Sequence, residues 1–196
     1  MKIIGTTYQK NPFTILSLAD GGNIATAQDM VGKKIGVQDS NTSLFQALLA
    51  ANDISPDELT IVPVQYDPSV LVNGEVDGFV AYLTNESITV AGQGKAVTNL
   101  PFADNGLPFV AETFSVTDQS IAEDRDMLKA FLKAEIQGWT DAIADPEAAV
   151  DVCIEEYGAD LGLNRENEIV SADDLFDLSL LDEVYEENPD LVDYAG

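Results

Sequence analysis

Two short polar clusters carry residue types suited to holding a small molecule. The first is Gln38 followed by Asn41, Thr42 and Ser43, and the second is Tyr82 followed by Thr84, Asn85 and Glu86. Amides and hydroxyls recognise donors and acceptors, a tyrosine ring stacks on a flat ligand, and a glutamate pairs with an amino group. Tyr8 and Asn11 offer the same groups near the start of the chain. Nucleophilic chemistry is poorly supplied by comparison. The sequence has no histidine and a single cysteine, Cys153. A Ser-His-Asp triad and a Cys-His pair are therefore excluded, and a zinc site is disfavoured. Any enzyme built here would rest on carboxylates, lysine or tyrosine, and nothing marks a paired acid and base. No cofactor is called for.

The elements around these clusters explain how they meet. Ile35–Gln38 reads as a short buried strand, and Asn41, Thr42 and Ser43 as a helix start leading into apolar Leu44, Phe45, Leu48 and Leu49. Such a turn leaves free backbone N–H groups that suit an acceptor or anionic end of a ligand, although an ordinary strand-to-helix turn looks the same. Phe79–Leu83 is a second strand of this kind, ending in the second cluster. Two such ends at one edge of an α/β sheet outline a ligand crevice, with Tyr8 and Asn11 expected to face it.

Composition bounds the rest. The 196 residues, 45% of them hydrophobic, suffice for one large or two small domains, and no apolar run is long enough to span a membrane. Met1–Thr6 does not read as an export signal, because polar residues follow at once. Nine basic and 35 acidic residues give a net charge of -26, which opposes nucleic acid and anionic membranes. The charge is uneven. Residues 1–100 hold 10 acids and 5 bases, whereas residues 101–196 hold 25 acids and 4 bases. The second half is read as a solvated acidic helical surface, with a cation-binding or partner-docking face as the alternative.

In chain order, strands are predicted at Lys2–Tyr8 and Phe13–Leu18, separated by Asn11-Pro12. A turn at Asp20–Asn23 and a short helix capped by Thr26 and ended by Gly32 follow. The Ile35 strand and the helix Thr42–Ala51 come next. Ser55-Pro56-Asp57-Glu58 and Asp67-Pro68 each start a helical segment around the strand Thr60–Val64. Phe79–Leu83, a helix to Gly92 and the strand Ala96–Leu100 complete an alternation that indicates a parallel sheet with helices on both faces. Pro108–Thr117 reads as a long strand. Beyond Ala122 the pattern is helical, with Met127, Leu128, Phe131, Leu132, Ile136, Trp139 and Ile143 on one apolar face. Asp145-Pro146-Glu147 caps another helix, ended by Gly158, in which Cys153 is read as core, as is Trp139. A last helix is predicted over Ser171–Tyr185, before an acidic tail after Glu186.

Asp-x-x-Gly-Lys-Lys-Ile-Gly-Val at 29–37, the helix start at 41–43 and Gly-Glu-Val-Asp-Gly at 74–78 resemble the NMT1/THI5-like family of periplasmic solute-binding proteins. Tyr8–Pro12 with Phe13–Leu18, Asn85-Glu86, Gly138-Trp139 and Asp145–Ala149 fit its run, so the resemblance covers roughly residues 1–160. It implies a type II periplasmic-binding-protein-like α/β fold serving an ABC importer and its permease in the periplasm or another extracytoplasmic space. Residues 14–107 would form a nearly complete lobe two. Residues 1–13 and 108–196 would be the remainder of lobe one, mostly helical and acidic, beginning at the crossing between lobes. Such a chain would expose apolar surface, covered if it pairs with another chain, including a second copy.

The leading function is then capture of a small metabolite, such as a thiamine pyrimidine precursor or a related heteroaromatic or amine-bearing compound. Tyr82 or Tyr8 would stack on its ring, Glu86 or Asn85 would pair with ring amino groups, and the backbone at 41–43 would hold an acceptor. The alternatives are a carboxylate-based enzyme and a ligand-sensing regulatory domain of the same architecture. The family's fungal and plant branch makes the thiamine pyrimidine by sacrificing its own histidine, and this sequence has none. No DNA-binding segment supports the regulatory reading.

Overall fold

The computed structural model describes residues 1–179. The acidic tail and the predicted end of the last helix lie outside the described residues.

A five-stranded mixed sheet organises residues 13–101. Its strands are β2 (Phe13–Leu18), β3 (Lys34–Gln38), β4 (Thr60–Val64), β5 (Gly78–Tyr82) and β6 (Val97–Pro101), in the order β4-β3-β5-β2-β6. β3 pairs in parallel with β4 and β5, as the alternation of strand and helix predicts. The sheet is not purely parallel, however. β2 is inserted between β5 and β6 and runs antiparallel to both. β5 and β6 thus keep a common direction without touching. Its burial fits that position: Thr14, Ile15, Leu16 and Ser17 are all fully buried, the mark of a central strand covered on both faces.

Helices cover the two faces and separate the core into two clusters. On one side Ile15, Ile35, Val37 and Val80 pack against Phe45, Leu48 and Leu49 of α1 (Thr42–Ala51) and against Phe102. On the other, Leu16, Phe79 and Ala81 meet Leu71 of α2 (Ser69–Val72) and Val90 of α3 (Glu86–Gly92). The alternation Phe79, Val80, Ala81 along β5 divides these residues between the faces, as strand geometry requires. Each fully buried large side chain contributes about 1.5–3 kcal/mol relative to its exposed state. Two of the predicted starts are built as capping boxes. The Glu58 carboxylate accepts the Ser55 N–H at 2.8 Å and the Asp29 carboxylate accepts the Thr26 N–H at 2.8 Å.

The remainder is a thinner layer. β1 (Lys2–Tyr8) pairs antiparallel with β7 (Ala111–Val116), which is shorter than the predicted strand. Four helices follow: α4 (Asp118–Glu123), α5 (Arg125–Ala144), α6 (Pro146–Val152), continued by a π-helical turn at Cys153–Tyr157, and α7 (Arg165–Ser179). α7 begins earlier than predicted. Asn164 Oδ1 accepts the Asn167 N–H at 3.0 Å, and Arg165 bridges Asp151 and Glu147 of α6. α5 contributes no fully buried residue, and Met127, Phe131, Ile136 and Ile143 are exposed. Cys153, expected in the core, is exposed as well, because only Val150 of that helix reaches a buried position. Among the described residues no helix is long and apolar enough to cross a membrane.

Two chain segments join this layer to the sheet. The Asn11 N–H donates to Phe109 O at 3.0 Å and its side-chain amide to Leu107 O at 2.8 Å, so the segments around 11 and 108 run side by side. Leu83 N–H donates to Pro12 O, and Lys10 pairs with Asp104.

Candidate functional site

The carboxyl ends of β3 and β5 meet at a pocket of about 250 Å³ lined by Phe13, Asn41, Tyr66, Val80, Ala81, Tyr82, Asn85 and Glu86. Of the residues expected to bind ligand, Asn41, Tyr82, Asn85 and Glu86 therefore converge. Glu86 is not a solvated helix-start acid. It is 9% exposed, and its Oε2 accepts the Tyr82 N–H at 2.8 Å, which fixes the carboxylate against the end of β5. Tyr82 meets Phe13 edge to face, with ring centroids 4.7 Å apart and planes at 85°. The two rings form perpendicular walls.

Gln38 stands behind the pocket. Only 2% exposed, it donates through Nε2 to Val80 O at 2.9 Å and accepts from Asn41 Nδ2 at 2.9 Å. It ties β3 to β5 and leaves Asn41 Oδ1 as the free acceptor of that amide. Asn11 is 1% exposed and uses its amide on Leu107 O and the Phe13 N–H, so it shapes the crossing. Thr42 and Ser43 belong to the first turn of α1 and are not part of the lining.

Tyr8 faces a second, larger cavity of about 910 Å³, bounded by Thr84 and by α5, α6 and α7 through residues that include Glu135, Trp139, Cys153, Tyr157 and Glu168. The segment from Tyr82 to Glu86 thus separates two cavities, with Thr84 turned to one and its neighbours to the other. Trp139, read as core, is half-buried and lines this cavity and a groove beside β1. Burial raises the Tyr8 phenol above its ordinary value, an effect that hydrogen bonding to Thr84 partly offsets and Glu112 reinforces. Burial also raises Tyr82, whose hydroxyl donates to Glu112 Oε1 at 3.3 Å. Glu112 lies on β7, so this contact links the two layers across the site. Its backbone adopts φ 55°, the left-handed region that non-glycine residues seldom occupy. Phe13, Tyr66 and Glu112 were not anticipated as site residues. Phe13 is hidden in an apolar strand, and Tyr66 and Glu112 enter through tertiary contacts. Among the described residues no group of histidine, cysteine, aspartate and glutamate is arranged to hold a metal ion.

A family model described as NMT1/THI5 like matches residues 1–149. The chain belongs to the NMT1/THI5-like family. It is 26% identical over 174 residues to the riboflavin-binding protein RibY of Chloroflexus aurantiacus, covering 85% of the chain and 49% of RibY. The chain thus spans about half the length of this curated relative. Among solved structures it is similar to the periplasmic aliphatic sulphonate binding protein SsuA of Escherichia coli. That likeness has a TM-score of 0.64 at 17% identity and covers 85% of the chain and 56% of SsuA. The desulfurization enzyme DSZB shares the fold at a TM-score of 0.55 and 15% identity, over 87% of the chain and 63% of that enzyme. The periplasmic-binding-protein-like α/β fold is common to these neighbours.

Proposed function

We propose that this NMT1/THI5-like chain acts as the solute-binding component of an ABC importer. It takes up a small metabolite outside the cytoplasm and hands it to a membrane permease. The ligand class we favour is a thiamine pyrimidine precursor or a related heteroaromatic compound. One observation carries the reading: the strand-end pocket joins two perpendicular aromatic walls to a buried, oriented carboxylate. Stacking on Phe13 or Tyr82 suits a flat ring, and Glu86 and Asn41 Oδ1 accept hydrogen bonds from ring amino groups. Family membership and the riboflavin-binding relative support a binding role.

An enzyme on the same fold is the second reading, and the likeness to DSZB favours it. A ligand-sensing regulatory domain is the third. A thermal-shift screen of thiamine precursors, flavins, sulfonates and polyamines, followed by chemical analysis of the recovered compound, separates the first two. Stabilisation with the compound returned intact supports binding, and its conversion supports an enzyme. The absence of any shift across the classes counts against the proposal.

A further inference from the structure

We infer that the strand-end pocket selects a small organic cation, a protonated amine or onium group carried on or beside a flat ring, and rejects sulfonates and other anions. The inference rests on the solute-binding reading and specifies the charge of its ligand. Glu86 is more than nine-tenths buried and lines the pocket, and with Oε2 held by the Tyr82 N–H no described hydrogen bond engages its Oε1. Among the described residues no lysine or arginine lines this pocket or either of the two cavities beside the helical layer. An anion placed there would meet a buried carboxylate with no compensating cation in the lining, which is unfavourable.

The remaining groups agree. Asn41 spends its N–H on Gln38 and presents an acceptor. Tyr82 spends its hydroxyl proton on Glu112, a second carboxylate beside the site. Phe13, Tyr66 and Tyr82 offer three aromatic rings to one small volume, and ring faces attract cations most where water is excluded. The net charge of -26 adds a long-range field that draws cations toward the molecule. The α1 N-terminus does not reverse this balance, since Thr42 and Ser43 stand outside the lining and Asp39 occupies the 3-10 turn before it.

The test uses three probes with one ring and three charges: benzylammonium, benzyl alcohol and benzenesulfonate, titrated calorimetrically at neutral pH. Benzylammonium is expected to bind at least tenfold more tightly than benzyl alcohol, and benzenesulfonate more weakly than both. Glu86→Gln keeps an acceptor for the Tyr82 N–H. It is expected to weaken benzylammonium far more than benzyl alcohol, so that the preference for the cation is lost. Tyr66→Leu, at an exposed position, is expected to weaken benzylammonium most. Benzenesulfonate binding as tightly as benzylammonium, or a preference for the cation that Glu86→Gln leaves intact, overturns the inference. If the neutral or anionic probe binds and Tyr66→Leu weakens it, solute binding stands and only the charge assignment falls. If none of the three binds, the cation assignment falls, and the metabolite screen decides separately whether solute binding falls with it.

Discussion

Tyr82 joins three roles in one side chain: a wall of the pocket, an edge-to-face partner of Phe13 and a hydroxyl donor to Glu112. If its ring stacks on the ligand, Tyr82→Ala removes a contact of about 0.5–1.5 kcal/mol beyond the area lost. Calorimetry with a ligand found by screening is expected to show affinity reduced about tenfold. Unchanged affinity in a folded variant would move the site to the larger cavity. The raised phenol has its own consequence. The folded state holds this proton more tightly than the unfolded chain, so the contribution is complete below the ordinary tyrosine value of 10.0 and is lost as pH rises through the folded value. Alkaline titration followed by tyrosinate absorbance is expected to contain a late component that Tyr82→Phe reduces, Tyr8 supplying the remainder. At this scale the sequence was partly legible. That Asn41, Tyr82, Asn85 and Glu86 would line one pocket could be read because they follow strand ends. Gln38 and Asn11 could not be told apart from ligand-binding amides, since an amide that satisfies buried backbone carries the same groups as one that meets a solute.

Strands, helices and their order along the chain were legible because several starts carry their own chemistry, such as Ser55 with Glu58 or Asp145 accepting the Ala148 N–H at 3.1 Å. What periodicity could not supply was neighbourhood. Nothing local to Phe13–Leu18 says that this strand enters between β5 and β6, because that position is decided by which two faces it can bury. The turn after β2 shows how closely these elements fit. A Cβ at Gly22 would lie 2.0 Å from the Asp77 carbonyl oxygen, just before β5, so only glycine allows the approach. Gly22→Ala must displace backbone. It is expected to cost at least about 1–3 kcal/mol, the range for overpacking, read as a lower midpoint in urea at unchanged slope. Gly74, by contrast, meets nothing within 4 Å and has φ 74°, so its substitution strains the backbone without a clash.

At the scale of the whole molecule, charge and apolar surface pull in different directions. With -26 on the chain, like-charge repulsion opposes compaction. Sodium chloride is expected to raise the melting temperature, with most of the rise below about 0.15 M, where the screening length falls to ~8 Å. A rise confined to higher concentrations would indicate general salt stabilisation and count against the electrostatic account. Part of the exposed apolar surface lies on α5, where Ile136 is 63% exposed and Met127, Phe131 and Ile143 join it on the flanks of the helix. The sequence had placed these residues on one apolar face, and periodicity was right about the helix but could not say how much of that face is covered. Apolar side chains left exposed on both flanks of one helix offer a surface for association, so the chain is expected to associate through α5. Light scattering should give a mass above that of one chain, rising with concentration, and a hydrophobic dye should fluoresce strongly in dilute solution. Phe131→Glu combined with Ile136→Glu should lower both signals, with some loss of stability because Phe131 meets Phe114 edge to face at a centroid distance of 5.4 Å. A single-chain mass at every concentration, with weak dye binding before and after the substitutions, would show that this surface needs no cover.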